Sequence, residues 1–319
     1  MSVQFDPSQL LWVEKYRPQT VQDCILPDRI KKVFSNFVEQ QDFPSLLLSG
    51  TPGVGKTTIA KALCRDLGVD CKLINASNER GIDVLRTTIE RFASSMSFND
   101  SKFKVVIMDE FDYSTPLLQG AMRAAIEDYA KTCRFIFTCN HPNRIMDAIH
   151  SRCSVINVSL EAEERPEIAA QFMKRIGFNL KNEGVEYDRK AIAQLIQSKF
   201  PDFRKTINEL EKLSSVGKID LELVTQVKED VNIVKLVKYL RDKDFPATRQ
   251  WVAQNSANDV DLLFRKIYDN IADILVPASI PEAIVIIAQY QFRGVTCPDP
   301  EINLVACLVE LMASCEFKG

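Results

Sequence analysis

Residues 50–57 read Gly-Thr-Pro-Gly-Val-Gly-Lys-Thr and match the pattern GxxxxGK[ST]. An apolar run at 46–48 precedes them, and the apolar residues that follow lie on one face of a helix that ends at Gly68. A strand, a glycine-rich loop and a helix N-terminus in this order allow backbone N–H groups to surround a phosphate. The stretch therefore predicts a nucleotide site in which Lys56 neutralises the β- and γ-phosphates and the Thr57 hydroxyl binds Mg²⁺. The other loop residues expected to contact the nucleotide are Gly53, Val54, Gly55 and Thr58.

Short apolar runs recur along the first half of the chain. They lie at 46–48, 71–75, 105–108, 134–138 and 155–158, and the stretches between them have helical patterns. Strands that alternate with helices indicate a parallel sheet that is buried on both faces. The predicted fold class is an α/β P-loop domain, followed by helical domains.

The pattern changes after residue 158. From there to about 229 the sequence is acidic and helix-rich, and a break near 217–230 precedes further helical segments. A chain of 319 residues is long enough for two or three domains. We predict a nucleotide-binding domain at 1–158, a small helical lid domain at 159–229 and an all-helical C-terminal domain at 230–319.

Composition limits the classes of partner and metal. Lysine and arginine total 40 against 43 aspartates and glutamates, a net charge of −3, so a nucleic acid would have to bind at a local basic patch. Nine cysteines without CxxC spacing, and two histidines, disfavour a zinc site and favour buried thiols in a reducing compartment. The chain has no apolar run long enough for a bilayer and no signal-peptide pattern, which predicts a cytoplasmic protein without a membrane partner.

Two adjacent carboxylates, Asp109 and Glu110, follow the strand predicted at 105–108. Successive side chains on a strand point in opposite directions, so the two can have different roles. We expect Asp109 to hold the magnesium shell and Glu110 to polarise the water that attacks the γ-phosphate. On its own, the pair would be an ordinary charged strand end; together with the phosphate loop it favours hydrolysis.

Two further polar residues follow later strand signals. Asn140 comes after the run at 134–138, where its amide either orients the attacking water and senses the γ-phosphate or is simply a turn residue. Arg152 precedes the last predicted strand, and its spacing leaves open whether it pairs with a phosphate or with an internal carboxylate.

Four blocks of sequence carry a family resemblance. The first is Trp12-Val13-Glu14-Lys15-Tyr16-Arg17-Pro18, the second Asn75-Ala76-Ser77-Asn78-Glu79-Arg80-Gly81-Ile82, the third Ser151-Arg152-Cys153 and the fourth Phe200-Pro201-Asp202-Phe203-Arg204-Lys205. They resemble, respectively, the N-terminal box, the NASDERGI segment, the arginine-finger motif and the sensor-2 motif of replication factor C-like sliding-clamp loaders. By this resemblance, residues 12–158 are similar to the ATPase module of an AAA+ clamp-loader subunit.

The departures from the family pattern narrow the resemblance. Ile25-Leu26-Pro27 stands where cellular loaders usually carry a glycine, Asp109-Glu110-Phe111-Asp112 replaces their DEAD-like box, and Pro201-Asp202-Phe203-Arg204-Lys205 replaces GDxRR. These variants are most similar to the large subunits of T4-type bacteriophage clamp loaders, which would place the protein in the host cytoplasm. The assignment of 230–319 as the family's collar domain rests on position alone.

The resemblance implies roles for individual residues around the nucleotide. Val13, Tyr16, Arg17 and Pro18 would line the adenine pocket, although Trp12 and Tyr16 could instead only attach an N-terminal arm to the core. Arg152 would reach the γ-phosphate bound by a neighbouring subunit. Arg204 would contact the phosphates from the lid, unless it belongs to a solvated helix face.

The resemblance also implies contacts with DNA and with the clamp. Arg80 matches a switch position that holds Glu110 away from water until DNA binds. A DNA-facing or inter-subunit surface that contacts successive phosphates would include Arg80, Arg86 and Arg123. The alternative is that these arginines pair with nearby acidic residues at helical spacing. Phe92, Met96 and Phe98 are candidates for insertion into the clamp, with core packing as the alternative.

The leading hypothesis is thus a DNA-stimulated ATPase that uses ATP and Mg²⁺ to open a sliding clamp and load it onto primer–template DNA. The implied partners are the clamp, the DNA, other copies of the chain and a small loader subunit, in a pentameric assembly. Another AAA+ DNA motor, of branch-migration or initiator type, is the alternative, and a non-catalytic ATP-bound scaffold is a third. A GTPase is disfavoured because the sequence has no NKxD motif.

Overall fold

The computed structural model describes residues 11–77, 82–95, 102–228, 233–255, 260–294 and 297–318; of 82–86, 225–228, 233–234 and 261–262 it describes only the backbone. The chain forms two compact units, which meet in sequence between Val224 and Thr225. The three-domain division predicted above stays a prediction. The stretch near 217–230, predicted as a break, contains a helix at Leu221–Lys228.

The first unit is built on a five-stranded parallel sheet. Its strands are β1 (Leu46–Ser49), β2 (Cys71–Asn75), β3 (Lys104–Asp109), β4 (Cys133–Cys139) and β5 (Ser154–Asn157). The strand order is β2-β3-β4-β1-β5, and every neighbouring pair is parallel. The predicted α/β P-loop fold is confirmed, and each predicted strand lies within one residue of an observed one. All five strands end at one edge, where their loops can build a common site.

The helices of this unit lie before, between and after the strands. They are α1 (Trp12–Lys15), α2 (Asp28–Gln40), α3 (Lys56–Asp66), α4 (Ile82–Ser94), α5 (Pro116–Asp128), α6 (Asp147–His150), α7 (Arg165–Asn182), α8 (Arg189–Lys199), α9 (Phe203–Ser214) and α10 (Leu221–Lys228). Short 3₁₀ turns occur at Phe111–Tyr113 and Pro142–Arg144. Several starts have local causes: Thr115 caps α5 ahead of Pro116, and Asp202 caps α9 through the N–H of Lys205.

Alternate residues of the central strands fill two cores, one on each face of the sheet. Val105 and Ile107 pack with α2 and α3, whereas Val106 and Met108 pack with α4 and α5. The edge strand β2 is exposed along most of its length, and it carries Cys71. The prediction of buried thiols is therefore wrong for Cys71. An edge strand has a neighbouring strand on one side only, so its side chains are less completely covered.

The second unit is helical. After the end of α10 it contains α11 (Ile233–Arg241), α12 (Phe245–Asn255), α13 (Val260–Asp269), α14 (Ile271–Ile274), α15 (Ile280–Gly294) and α16 (Pro300–Ser314), with a 3₁₀ turn at Pro277–Ser279. A continuous apolar cluster runs through it, and α16 contributes Leu304, Leu308 and Leu311. The buried Asn303 donates to the carbonyl oxygen of Tyr290 at 2.8 Å. The predicted all-helical C-terminal region is confirmed.

No helix in the described ranges combines the length and the apolar character that a bilayer crossing requires.

Candidate nucleotide-binding and catalytic site

The glycine-rich loop connects β1 to the N-terminus of α3. Gly53 and Gly55 have φ values of 77° and 93°, in the left-handed region that glycine adopts without strain. A Cβ atom on Gly53 would also collide with the carboxylate of Asp202, just before α9. The N–H of Phe203 donates to the carbonyl oxygen of Gly53 at 3.2 Å. Glycine at position 53 is thus needed both for the turn and for close approach of α9.

Lys56 is only 8% exposed, and its ammonium group has three protein partners. It donates to the carbonyl oxygens of Gly50 at 2.8 Å and Thr51 at 2.9 Å, and to Oδ1 of Asn140 at 2.8 Å. Burial lowers the pKa of Lys56, while the nearby Cys139, Asp112 and Asp109 act in the opposite direction. The structure therefore brings together Lys56 and Asn140, which the sequence singled out separately.

Asp109 ends β3 and accepts two hydroxyl hydrogen bonds on the same oxygen. Thr57 donates to Asp109 Oδ1 at 2.7 Å, and Thr138 donates to it at 2.5 Å. Carboxylate and hydroxyl oxygens are the ligands that Mg²⁺ prefers, usually one or two per site with phosphates and water completing the shell. Within the described ranges no cluster of three or more acidic, histidine or cysteine side chains could hold a metal. The pair of Thr57 and Asp109 fits a magnesium ion that is bound together with a nucleotide.

Glu110 adopts a left-handed backbone conformation, with φ 54° and ψ 43°. Its backbone N–H donates to Thr138 Oγ1 at 3.1 Å. Its carboxylate oxygen Oε2 accepts from the Ser77 hydroxyl at 3.0 Å and from the Asn75 amide at 3.3 Å. Positive φ is uncommon for a residue with a side chain and is frequent at functional sites. The end of β2 therefore holds the carboxylate predicted to activate water.

Sequence reasoning missed this direct contact of Asn75 and Ser77 with Glu110. The resemblance pointed instead to Arg80, which lies outside the described residues. The contact could be predicted only from the pairing of the strands. Because β2 runs beside β3 and Asn75 is aligned with Asp109, the end of β2 lies next to Glu110.

Asp112 was quoted as part of a motif but was given no role by the sequence. It is 4% exposed, and its Oδ2 accepts from the backbone N–H groups of Asn140 at 3.1 Å and His141 at 3.0 Å. These bonds fix the turn after β4 and thereby the direction of the Asn140 side chain toward Lys56.

The N-terminal segment and the helices after the sheet complete the cleft. Val13, Tyr16, Arg17 and Pro18 line the same cleft as the glycine-rich loop, as do Val54, Thr58 and Arg204. The Tyr16 hydroxyl donates to Glu183 at the end of α7 at 2.5 Å, and Arg17 donates to Thr58 Oγ1 at 3.2 Å. Burial, and then the bond to Glu183, raise the pKa of Tyr16 to about 12. Tyr16 therefore stays protonated at neutral pH and attaches the segment to α7.

Arg204 is the second residue of α9 and lines the cleft. Lys56 and Arg204 line the same cleft, and the positive charge of Arg204 adds to burial in lowering the pKa of Lys56. Two cations on one side of a cleft are suited to a polyanionic ligand.

Arg152 lies away from the cleft of its own chain. Its Nη2 is 2.6 Å from Oε1 of Glu127, its Nε donates to the same oxygen at 2.8 Å, and its Nη1 donates to the Ala148 carbonyl at 2.9 Å. Of the two partners that its spacing left open, the single chain thus shows an internal carboxylate.

The candidates for DNA and clamp contact are described only in part. Arg123 is exposed on α5, and Arg86 lies on α4, of which only the backbone is described there. Phe92 is half-buried against the core of the sheet, with the Lys104 ammonium 5.1 Å from its ring centroid, which favours the packing alternative. Met96 and Phe98 lie outside the described residues.

Comparison with known proteins agrees with this geometry. Residues 46–160 match the ATPase family associated with various cellular activities, and 164–225 match the AAA+ ATPase lid domain of the sliding-clamp-loader large subunit. The sliding-clamp-loader large subunit of Enterobacteria phage T4 is 34% identical over 311 residues, which are 96% of this chain and 96% of that protein. The chain belongs to the clamp-loader family of AAA+ ATPases.

Archaeal members of the family are similarly close. The replication factor C small subunit of Saccharolobus solfataricus is 34% identical over 326 residues, covering 95% of this chain and 94% of that protein. The Methanococcus maripaludis replication factor C small subunit is 40% identical over 223 residues, 68% of this chain and 69% of that protein. As a member of this family, the chain is a nucleotide-binding ATPase.

Among solved structures, the RuvB Holliday junction branch migration motor of Thermotoga maritima has a similar fold. The TM-score is 0.53 at 19% identity, over 70% of this chain and 79% of that one. Similarity at this level shows the shared fold alone.

Proposed function

We propose that this clamp-loader ATPase opens a sliding clamp and loads it onto primer–template DNA at the expense of ATP. The observation that carries the proposal is the match to a phage clamp-loader large subunit over 96% of both chains, together with the match of 164–225 to the lid domain. The partners would be the clamp, the DNA, further copies of this chain and a small loader subunit, in a pentameric assembly.

In the proposed site, ATP lies between the glycine-rich loop and α9. Lys56 and the loop N–H groups bind the β- and γ-phosphates, and Arg204 approaches them from α9. Thr57 and Asp109 would hold Mg²⁺, which when bound neutralises the charge of the β- and γ-phosphates. Lys56 would donate hydrogen bonds both to Asn140 and to the γ-phosphate. The position of the Asn140 side chain would therefore depend on whether the γ-phosphate is present.

Glu110 is the proposed base for the attacking water. It must turn toward that water, and its bonds to Ser77 and Asn75 hold Oε2 at the end of β2. A group that competes for Ser77 or Asn75 would release the carboxylate. The resemblance assigns this coupling to Arg80, whose guanidinium would move to a DNA phosphate when DNA binds.

Arg152 would complete the site of a neighbouring copy. In the single chain it is held by Glu127, an exposed ion pair that contributes on the order of 1 kcal/mol or less. Such a weak pair can be exchanged for a triphosphate, which carries more charge. Hydrolysis would therefore depend on assembly, and Arg86 and Arg123 would follow DNA phosphates from several copies, which accommodates the net charge of −3.

ATPase turnover tests this function directly. Phosphate release is measured on the purified chain alone and with its co-purifying partners, with primed DNA, with the clamp, and with both. For a loader, the rate with primed DNA and the clamp together exceeds the sum of the rates with each alone. Lys56→Ala should abolish this stimulated turnover. Equal turnover with and without the clamp would contradict the proposal and favour a DNA motor.

A further inference from the structure

Asn179 on α7 is a buried amide inside the nucleotide cleft. It is 4% exposed and lines the same cleft as Lys56 and Tyr16. Its side-chain oxygen Oδ1 has no hydrogen-bond partner in the part of the chain that the structure describes. A buried polar atom without a partner destabilises the fold by about 1–3 kcal/mol, so such atoms are rare unless they have a function.

The neighbours of Asn179 along α7 show which end of the cleft it faces. Arg175, four residues before it, donates to the backbone carbonyl of Asp23 at 2.9 Å. Glu183, four residues after it, accepts from the Tyr16 hydroxyl. Residues at this spacing share one helix face, so Asn179 lies between two attachments to the N-terminal segment. The N-terminal segment lines the cleft, and the proposed function places the base of a bound nucleotide at this end.

The chemistry of a carboxamide suits this end of the cleft. An aliphatic side chain would fill the position without an unpaired oxygen, and Phe172 and Ile207, which line the same cleft, are apolar. Adenine presents an exocyclic amino group and adjacent ring nitrogens along one edge, and an asparagine amide pairs well with such an edge. Oδ1 is shielded from solvent in this structure, so the amide must rotate toward the cleft before a base can donate to the oxygen that the described residues leave without a partner.

We propose that Asn179 is a specificity-determining residue whose Oδ1 accepts a hydrogen bond from the exocyclic amino group of adenine. The inference rests on the proposed function, since it requires that ATP occupies this cleft. It adds a side-chain contact from α7 to the base, whereas the resemblance implied only the N-terminal segment.

Binding of two nucleotides to the full chain tests this contact. Dissociation constants are measured by calorimetry for ATP and for purine riboside triphosphate, which lacks only the exocyclic amine. One hydrogen bond predicts that the wild type prefers ATP by about three- to tenfold. Asn179→Leu should bind both nucleotides equally. The matched control is Asn182→Leu, an exposed asparagine on the same helix, which should keep the wild-type preference.

The outcomes separate this inference from the proposed function. A wild-type chain that binds both nucleotides equally, or an Asn179→Leu chain that keeps the full preference for ATP, overturns the role of Asn179 and leaves the ATP site intact. A wild-type chain that binds neither nucleotide overturns the proposed site as well. If Asn179→Leu does not fold, as judged by circular dichroism, Asn179→Ala takes its place, and the wild-type comparison remains decisive.

Discussion

The two compact units of this chain differ in what they bury besides apolar side chains. In the described part of the first unit, Lys56, Lys104 and Asp112 are charged and less than 9% exposed. In the described part of the second unit, the buried polar residues are Thr248 and Asn303, both uncharged. The first unit holds these charges with hydrogen bonds, and one of them, Lys56, lies at the cleft; the second unit is stabilised by continuous apolar packing.

Lys56 and Lys104 show what this difference means. Each ammonium group has three hydrogen-bonding contacts with oxygens of the protein. Lys104 donates to the end of α4, under the ring of Phe92, and stabilises structure. Lys56 has an equally complete set of partners but lies in the cleft, beside Asn140. Both buried ammonium groups have hydrogen-bond partners, so their positions distinguish them. Only the one at a cleft can exchange a protein partner for a ligand.

The largest expected effect concerns Arg152, which would extend the charged region of the first unit into a neighbouring copy. Arg152→Ala should lower the clamp- and DNA-stimulated turnover of the assembly by about 10³-fold or more, because the charge that develops at the γ-phosphate loses its partner. ATP affinity of the isolated chain should not change. Steady-state phosphate release and calorimetry measure the two quantities. Arg165→Ala, an exposed arginine at the start of α7, is the control, and full-speed turnover without Arg152 would refute the role.

Glu110 gives the next effect in size. Glu110→Gln keeps the volume and the bond to Ser77 but removes the proton acceptor, so turnover should fall at least about a hundredfold while ATP still binds. Single-turnover hydrolysis and a binding titration distinguish the two steps. Glu163→Gln, at an exposed position before α7, should behave like the wild type. Near-normal hydrolysis by Glu110→Gln would show that another group activates the water.

In the second unit we expect an effect on stability rather than on chemistry. Leu308 is fully buried, and Leu308→Ala should reduce the free energy of unfolding by about 2–5 kcal/mol. Denaturant unfolding measures this change, and ATP affinity under native conditions should stay as in the wild type. Val309→Ala, on the exposed side of the same helix, should change stability by about 0.5 kcal/mol or less. A loss of ATP affinity in Leu308→Ala would contradict the prediction that the second unit affects stability and not nucleotide binding.

The smallest effect compares one thiol from each unit. A hydrogen bond with the Cys64 thiol lowers the pKa of Cys71 to about 7, partly opposed by burial and aided by Lys61 and Arg65, whereas burial raises the pKa of Cys307 to about 12. A lowered pKa means that more of the thiol is thiolate at neutral pH, so the rate of alkylation of Cys71 by iodoacetamide should be half-maximal near pH 7 and reach a plateau above it.

Peptide mass spectrometry over a pH series follows both thiols. Cys307 should remain unmodified in the native chain at every pH up to 9, and Cys71→Ser should remove the rapid phase. If Cys307 were labelled as fast as Cys71, the packing of the second unit would be looser than described.

The sheet, the phosphate loop and the family could all be predicted from the amino-acid sequence. Apolar runs of three to five residues separated by helical patterns are local signals, and they predicted every strand of the sheet to within one residue. The conformation of the loop at 50–57 could be predicted from its own residues, because it depends on the glycines and on the helix N-terminus rather than on distant contacts. Asp109 and Glu110 could likewise be identified from their place at the end of a strand.

The contacts between side chains that are distant in sequence could not be predicted in this way, because they depend on how the elements pack. Lys56 and Asn140 are 84 positions apart, yet they are joined at 2.8 Å because β1 pairs with β4. The bonds of Ser77 to Glu110 and of Asp112 to the turn after β4 likewise depend on strand order, and the placement of Asn179 depends on how α7 packs on the N-terminal segment. Periodicity records which face of an element is buried, but not which element covers it, since that choice depends on the free energy of the whole packed core.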